Sequence, residues 1–477
     1  MSAILLLIPP AADGGAIARD LLYGCWCSGR RAGGVTYPPV PEVLLATLLS
    51  RDGHQVAVAD ANVAPKTWPS VLARAKSFDM VVSQSSGLTL EGDTRAIALL
   101  REANPTLRTA LFGAGPTFSK GTFLEIPWMD HVVQGDPELP ILALANDLRA
   151  GKPSPRVLPK GIMEDMDALP LPDRLRFLPH PPEAYRNPLP MQSPFTTVFT
   201  SRGCAGSCLF CSAPAFSGKH RRTMSPHRVV EEVRHAAREG YRDLIFRDEH
   251  VDSPPGRLEE ICRLFRRERT VGFPGWTCNI RANGVDAELL ASMKSAGCHT
   301  IKIGVETGDS VLRANAGKPI PDETYLRVFR EARALGIRAH AHFLLGVPGE
   351  TAGTIRKTVL FARRLRPSSV TFGILTPFPG VPLFEETGKR SNPISRLRAV
   401  DGFHSAAVPL PWTEGLSADD LARELRHAYR GFYFHPSSWS SMFPGILTGI
   451  LSFRGAKNRV LAGMNVFAFS LSARRGK

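Results

Sequence analysis

The sequence predicts an α/β protein in three parts: an N-terminal doubly wound domain over residues 1–150, a partial (β/α)6 barrel over 191–385, and a small, mainly helical region over 386–477. A proline-rich linker over 151–190 joins the first two. Two observations carry this reading. Short continuous apolar runs, each followed by a helical pattern, recur through the first 150 residues and again from Thr196; such runs, buried on both faces, belong to parallel sheets covered by helices. At 477 residues and 43% hydrophobic composition, the chain can also bury more than one core.

In chain order, AILLLIP reads as the first strand, followed by a helix from about Pro41 to Arg51, the strand QVAVAD and a short helix. DMVVSQ, a helix near Glu91 to Glu102, TALFGAG, DHVVQG and a helix ending at Gly151 complete five βα units. Ligands of doubly wound sheets bind beyond the carboxyl ends of the strands. Those ends carry Ser83, Ser85 and Gly87, then Gly113, Ala114 and Gly115, then Gly135 and Asp136. Small residues there permit the close approach of something large and flat, and their ordinary role is a tight βα turn.

From Thr196, TTVFTS, DLIFRDE, WTCNIRAN, TIKIGVET, IRAHAHFLLGV and SVTFGILTPFP read as six strands separated by helices. Ser225 followed by Pro226 opens one helix, and Gly240, Gly297 and Gly336 close three others. Consecutive βα units curl into a barrel whose chemistry sits at the carboxyl ends of its strands. Beyond about Glu386, LSADDLARELRHAYRGFYFH reads as one amphipathic helix capped by Ser417. The apolar runs FPGILTGILSF and VLAGMNVFAFSL are each too short to span a bilayer. They suit a helical cover over the active site, or peripheral contact with a membrane surface or a lipid substrate.

Charge and cysteine usage narrow the function. The net charge of +15 is spread over helices, as in Arg263, Arg266, Arg267 and Arg269, without an interleaved aromatic platform. That distribution does not point to specific nucleic-acid binding. Eight cysteines with three in one motif do not form a secreted disulfide framework, and Ala3 to Ile8 is too short for a signal-peptide core, so a cytoplasmic setting is expected.

Three of those cysteines, Cys204, Cys208 and Cys211, lie in FTSRGCAGSCLFCSAP directly after the first barrel strand, at its catalytic end. Their spacing suits an iron-sulfur cluster, for which a fourth thiolate is normal when the cluster only carries electrons. The next cysteine is Cys262, so a cube held by three thiolates would keep one iron open to a small molecule. On a helix the same positions would form a buried apolar stripe, but Gly203, Gly206 and Ser207 oppose a helix. A structural zinc site would need a fourth ligand, for which His220 is the nearby candidate.

With FRDEH at Phe246 to His250, KIGVETGD at Lys302 to Asp309, FLLGVPGET at Phe343 to Thr351 and TPFPGVPLFE at Thr376 to Glu385, the chain resembles radical S-adenosylmethionine (SAM) enzymes with an N-terminal cobalamin-binding, Rossmann-like domain. The resemblance runs over about residues 1 to 385 and implies a [4Fe-4S] cluster on Cys204, Cys208 and Cys211. It implies SAM contacts at Phe210, Asp248, Glu249, Glu306, Gly346 and Gly349, with Asp248 and Glu249 where the family meets the methionyl amino group. Cobalamin contacts are implied at Ser83, Ser85, Gly113, Gly115 and Gly135. Asp52, Gly53 and His54 mimic the start of a D-x-H-x-x-G cobalt-ligating motif, but they precede the second strand and Ala57 replaces its glycine. His54 is therefore a turn residue. No histidine occurs in residues 9–37, so cobalamin is expected without a histidine ligand, with Trp26 and Tyr37 as candidates to cover its lower face.

The implied activity is a cobalamin-dependent radical methyltransferase acting on an unreactive carbon or phosphorus centre of a small-molecule, natural-product or lipid substrate. The implied partner is a one-electron donor such as flavodoxin or ferredoxin. The alternatives are a radical cyclase or rearrangement enzyme of lipid, tetrapyrrole or secondary-metabolite biosynthesis, and an RNA-modifying radical enzyme. The last would bring its own N-terminal cysteines, where this chain has Cys25 and Cys27.

Overall fold

A computed structural model describes residues 1–11, 19, 35–87, 89–187, 191–268, 273–375, 379–387 and 415–438. Trp26, Cys25, Cys27 and the two apolar runs of the tail lie outside the described residues. The chain divides into two compact units. Of the described residues, the first comprises those up to Arg186 together with Ala213–Thr223, and the second takes those of Asn187–Ser212 and from Met224 on.

The first unit is built on β1 (Ala3–Ile8), α1 (Val40–Arg51), β2 (Gln55–Asp60), α2 (Trp68–Ala73), β3 (Met80–Gln84) and α3 (Leu90–Ala103). β4 (Arg108–Phe112), α4 (Ala114–Phe118), α5 (Lys120–Leu124), β5 (His131–Val132) and α6 (Glu138–Ala150) follow. Its sheet has the order β2-β1-β3-β4-β5, all parallel. The central strand explains the covering helices. Ile4 and Leu6 pack on one face with Val43, Leu49 and Ile141 of α1 and α6, while Leu5 and Leu7 pack on the other with Ile97 and Leu100 of α3. Each such side chain taken fully out of water contributes about 1.5–3 kcal/mol. The strand order reverses at β1, the point where α/β sheets open a crevice at their carboxyl ends. His54 lies before β2, away from those ends, buried with Nε2 3.1 Å from Asn146 Oδ1.

The proline-rich stretch is irregular, as its composition predicts, but it is part of the first unit up to Arg186 rather than a free connector. Arg186 and Thr36 exchange backbone hydrogen bonds, Leu158 N–H donates to Val132 O, and Asp173 N–H donates to Thr47 Oγ1 at 2.9 Å. Prolines remove donors without removing acceptors, so an irregular path can still be tied down through its remaining amides.

The second unit holds β6 (Phe195–Val198), β7 (Asp243–Phe246), β8 (Gly275–Ile280), β9 (Cys298–Glu306), β10 (Arg338–Leu345) and β11 (Ser369–Ile374). They form one parallel sheet in consecutive order, the six units predicted. An open barrel leaves β11 as an edge, whose free N–H and C=O groups need partners. The helix Ala418–Tyr433 supplies them. Tyr429 Oη accepts from Phe372 N–H at 3.1 Å and donates to Phe372 O at 3.0 Å, and Tyr433 Oη does the same for Val370 at 3.2 and 2.9 Å. Ser417 caps this helix in a capping box with Asp420, as the sequence indicates. Among the described residues no helix is long and apolar enough to cross a membrane.

Each tyrosine hydroxyl satisfies two edge groups that phenylalanine would leave buried and unpaired, at about 1–3 kcal/mol per group. Tyr429→Phe should therefore lower the thermal midpoint clearly, and Tyr429→Phe/Tyr433→Phe further still. Unchanged melting of the double variant would show that the helix does not protect this edge.

Candidate active site

The cysteine loop leaves β6 and is held at its entry by one carboxylate. Asp248, just beyond β7, is 1% exposed, and its Oδ1 accepts from Thr200 N–H at 2.8 Å, from Ser201 Oγ at 2.9 Å and from Ser201 N–H. Its Oδ2 accepts from Thr200 Oγ1 at 2.8 Å, and its backbone carbonyl accepts from Asn279 Nδ2 at 2.8 Å. Four donors fill this carboxylate, so the structure gives Asp248 the work of anchoring the loop. Arg257 adds to the anchor by donating to the carbonyls of Thr200 and Met224, both at 3.0 Å.

Beyond the anchor the loop turns through Gly203, whose φ of +93 favours glycine. Cys204 Sγ accepts from Gly206 N–H at 3.4 Å, and a Cβ on Gly206 would stand 3.2 Å from that sulfur and 3.4 Å from an Arg281 nitrogen. Cys208 Sγ lies 3.8 Å from Gly317 O, and the loop is pinned by Leu209 N–H on Ala316 O at 3.1 Å. Gly317 has φ +82, and a Cβ there would fall 2.3 Å from Ser207 O, so no larger residue fits. Phe210 and Leu209 pack with Val347, Leu344, Leu375 and Leu383, joining the cysteine loop to the ends of β10 and β11.

The thiols sit in a field of fixed charges. Burial pushes Cys204 up, but a hydrogen bond from His250, the Gly206 amide and the imidazole charge outweigh it, leaving the thiol below its ordinary range despite nearby Glu249. His250 is oriented by Asp252, Nδ1 to Oδ1 at 3.2 Å. Asp252 also accepts from Arg281 N–H at 3.0 Å, and its Oδ2 occupies the space a Cβ on Gly284 would take, 1.8 Å away. Burial raises Cys208, with Lys318 and Arg281 opposing the rise.

Glu306 ends β9 at φ 70, a left-handed conformation costing a non-glycine residue roughly 1–2 kcal/mol, at a register shift against β10. The twist turns its carboxylate onto Lys318, Oε1 to Nζ at 2.7 Å, and Lys318 also donates to Gly304 O at 2.7 Å. A Cβ on Gly304 would come within 2.3 Å of that carboxylate. Burial works against the Lys318 charge, yet Glu306 outweighs it and holds the ammonium above its usual range. The segment carrying Gly317 and Lys318 is fixed by the buried Arg313, which donates to Thr307 O at 2.7 Å and Ile320 O at 3.1 Å, pairs with Asp322, and lies over the Tyr325 ring.

After β10, Gly346 (φ +85) and Gly349 (φ +79) shape a turn closed by Glu350, whose Oε2 accepts from Gly346 N–H. Glu350 is fully buried and its Oε1 has no partner, so burial drives its carboxyl up to about 8, the amides of Gly346 and Val347 opposing.

In the first unit the expected cofactor contacts sit at the strand ends. Ser83 is fully buried, and Ser85 Oγ donates to Asp93 Oδ2 at 2.7 Å. A Cβ on Gly113 would meet Ser85 O at 2.7 Å, one on Gly115 would meet the Phe123 ring at 2.5 Å, and one on Gly135 would meet Gly161 O at 2.5 Å. The chain itself takes the room these glycines leave. Sequence reasoning assigned no role to His250, Arg281, Lys318 or Glu350. His250 and Glu350 stand inside FRDEH and FLLGVPGET without a role of their own in those patterns, and Arg281 and Lys318 reach the site from separate segments that no spacing links.

The matched family description is the radical SAM superfamily, over residues 198–362. This segment contains the cysteine loop, Glu306, Lys318 and the Gly346–Glu350 turn. The chain carries a radical SAM domain over these residues. It is an enzyme whose superfamily uses a [4Fe-4S] cluster and SAM. The donor set fits the cluster. Cys204, Cys208 and Cys211 are free thiols on one loop, the ligand type that such a cluster takes. The chain is 27% identical to an uncharacterized methyltransferase of Pyrococcus horikoshii, over 91% of this chain and 93% of that one. It is 25% identical to the anaerobic magnesium-protoporphyrin IX monomethyl ester cyclase of Rubrivivax gelatinosus, over 84% and 74%. The fold is shared with the radical SAM methyltransferase TsrM from Kitasatospora setae, solved with cobalamin and a [4Fe-4S] cluster bound. That match has a TM-score of 0.64 at 17% identity and covers 98% of this chain and 100% of that one.

Glu350 offers a direct check of the turn. Its neutral form is favoured in the fold, so the stability it contributes is complete below pH 4.5 and is lost as pH rises through about 8. Glu350→Gln keeps an acceptor for Gly346 N–H and should flatten the fall in melting temperature between pH 6 and 9. Parallel curves for the two proteins would show that this carboxyl does not titrate there.

Proposed function

We propose that this enzyme is a cobalamin-dependent radical methyltransferase acting on an unreactive carbon, or a phosphorus centre, of a small-molecule or lipid substrate. The observation that carries the proposal is the trio of thiols at the carboxyl end of the barrel strands, in a chain whose other unit is a doubly wound sheet of the kind that binds flat cofactors at its strand ends. Cys204, Cys208 and Cys211 would hold the cluster, which would supply the electron for reductive cleavage of SAM, and cobalamin would supply the methyl carrier. The likeness to a methyltransferase over nearly the whole chain supports methyl transfer.

The chain's own residues bind and orient. Arg281 and Lys318 give positive potential beside Cys208, suited to a methionyl carboxylate, while Glu249 beside Cys204 and Glu306 are the acids for the amino group and ribose. Asp248, saturated by the loop, acts through the position of the cysteines. Gly346 and Gly349 offer backbone to adenine, and Phe210 with Leu209 and Val347 provides apolar cover that keeps water from a radical. In the first unit Ser83, Ser85, Gly113, Gly115 and Gly135 are the proposed cobalamin contacts, with Tyr37 beside them as a candidate for its lower face. Electrons come from a flavodoxin- or ferredoxin-type donor.

A cyclase or rearrangement activity is the second reading, favoured by the likeness to the magnesium-protoporphyrin cyclase over 84% of this chain. Product formed with SAM carrying a labelled methyl group should contain the label. An unlabelled product of unchanged mass, with 5′-deoxyadenosine released, would establish the second reading instead. Cys204→Ala should lose most of the iron and sulfide of the reconstituted protein and its visible absorption; full retention of both would remove Cys204 from the ligand set. His250→Leu should move the cluster midpoint potential to more negative values in an EPR-monitored titration, because a hydrogen bond to a ligating sulfur stabilises the reduced state. An unmoved potential would show that His250 does not reach the sulfur.

A further inference from the structure

At the carboxyl ends of β1, β2 and β3, where the strand order of the first unit reverses, the chain encloses a small pocket lined by Ile8, Arg19, Tyr37, Glu42, Asp60 and Gln84. Its floor holds two carboxyls, Glu42 and Asp60, each 3% exposed. Asp60 is well supplied with donors. Its Oδ1 accepts from Asn62 N–H and Val63 N–H, both at 3.0 Å, its Oδ2 accepts from Tyr185 Oη at 3.3 Å, and His180 Nε2 lies 2.7 Å from its backbone carbonyl. Glu42, in the first turn of α1, has no partner for its carboxyl among the described residues beyond its own N–H. Arg19 does not neutralise the pair, since its guanidinium is committed to both oxygens of Asp93 and to Gln84 O at 3.0 Å.

Two carboxyls in one desolvated pocket each disfavour the other's charge, and the proton is held longer by the one with fewer donors. That is Glu42, which burial raises to about 7, with the Asp60 charge adding and its own amide and Arg19 opposing. Burial raises Asp60 as well, but its donors and His180 favour its charged form over that of Glu42. A neutral carboxyl presents one O–H donor and one C=O acceptor side by side. Arg19 disfavours a cation in this pocket and Asp60 an anion. The complementary guest is therefore a neutral group that donates and accepts together, and a primary carboxamide meets a carboxylic acid in a pair of parallel hydrogen bonds. Corrinoids carry such carboxamides around the ring.

We infer that the Glu42–Asp60 pocket anchors a ring carboxamide of the corrinoid, with Glu42 in its protonated form as the donor and acceptor. The inference rests on the cobalamin reading proposed above. It makes corrinoid affinity pH-dependent within a unit that contributes no thiol to the cluster. The charged and titratable groups facing Glu42 are Asp60 from β2, Arg19 from the segment after β1, and, around Asp60, His180 and Tyr185.

The test is equilibrium binding of cyanocobalamin to the full chain, followed by its visible absorbance from pH 6 to 8.5, for the wild type and Glu42→Gln. If only protonated Glu42 binds, affinity should fall about thirtyfold across this range, as the competent fraction drops on the wrong side of about pH 7. Glu42→Gln keeps a neutral donor and acceptor and should bind at both ends of the range with a flat profile. Cobinamide, which retains the ring carboxamides and lacks the nucleotide, should reproduce the wild-type profile. A pH-independent wild type, or a slope that survives in Glu42→Gln, overturns the assignment while leaving cobalamin binding intact. A slope seen with cyanocobalamin and absent with cobinamide also overturns it, by placing the nucleotide in the pocket. If the wild type binds no corrinoid at any pH, the cobalamin reading itself fails. Should Glu42→Gln not fold, the wild-type profiles of the two corrinoids still decide the matter.

Discussion

The buried carboxylate of Asp248 is the interaction on which the active end of this enzyme depends. It takes two backbone amides and two hydroxyls from Thr200 and Ser201, and so fixes the direction in which the chain leaves β6. Everything beyond follows from that exit: the glycine turn, the Gly206 amide on Cys204, and the contact of the loop with Ala316 and Gly317. A charge so deeply buried is tolerable because every donor it meets is supplied by the loop it holds, and removing either side would strand the other.

The same economy governs the rest of the rim. Glu306 accepts an unfavourable backbone conformation to reach Lys318, Gly304 gives up its side chain to make room, and Arg313 ties down the segment that carries Lys318. Such strained, paired and glycine-cleared positions cluster at functional sites because several independent contacts must overdetermine a geometry that local preference opposes. The thiols consequently face a preset pattern of charge, with His250 at Cys204 and Arg281 and Lys318 at Cys208. These differences in environment give Cys204 and Cys208 distinct electrostatic settings, although the two share one loop.

The extent of the secondary structure was legible in the sequence for a simple reason. Strands buried on both faces must be continuously apolar, as in AILLLI and DLIF, and helices that cover them must carry a periodic stripe. The Ser417 cap and the cysteine loop were legible for the same reason, since their chemistry is local. The proline-rich stretch was legible only in part: composition showed an irregular path, but its attachment to α1 and β5 depends on single amides meeting Thr36, Thr47 and Val132 from distant segments. Glycines 113, 115 and 135 could be recognised as sites of close approach, while what approaches them is decided by residues such as Ser85, Phe123 and Gly161.

The sequence by itself determined the two parallel sheets, the position of the thiols at a strand end and the superfamily they imply, because periodicity and spacing along one loop are properties of neighbouring residues. Tertiary structure alone decided which acids are saturated and which keep a free oxygen, which thiol has a cation beside it, and that Glu42 and Asp60 are buried at one pocket. Those outcomes depend on burial and on distances between groups far apart in the chain, and electrostatic energies in a low-dielectric interior are set by such distances rather than by sequence order.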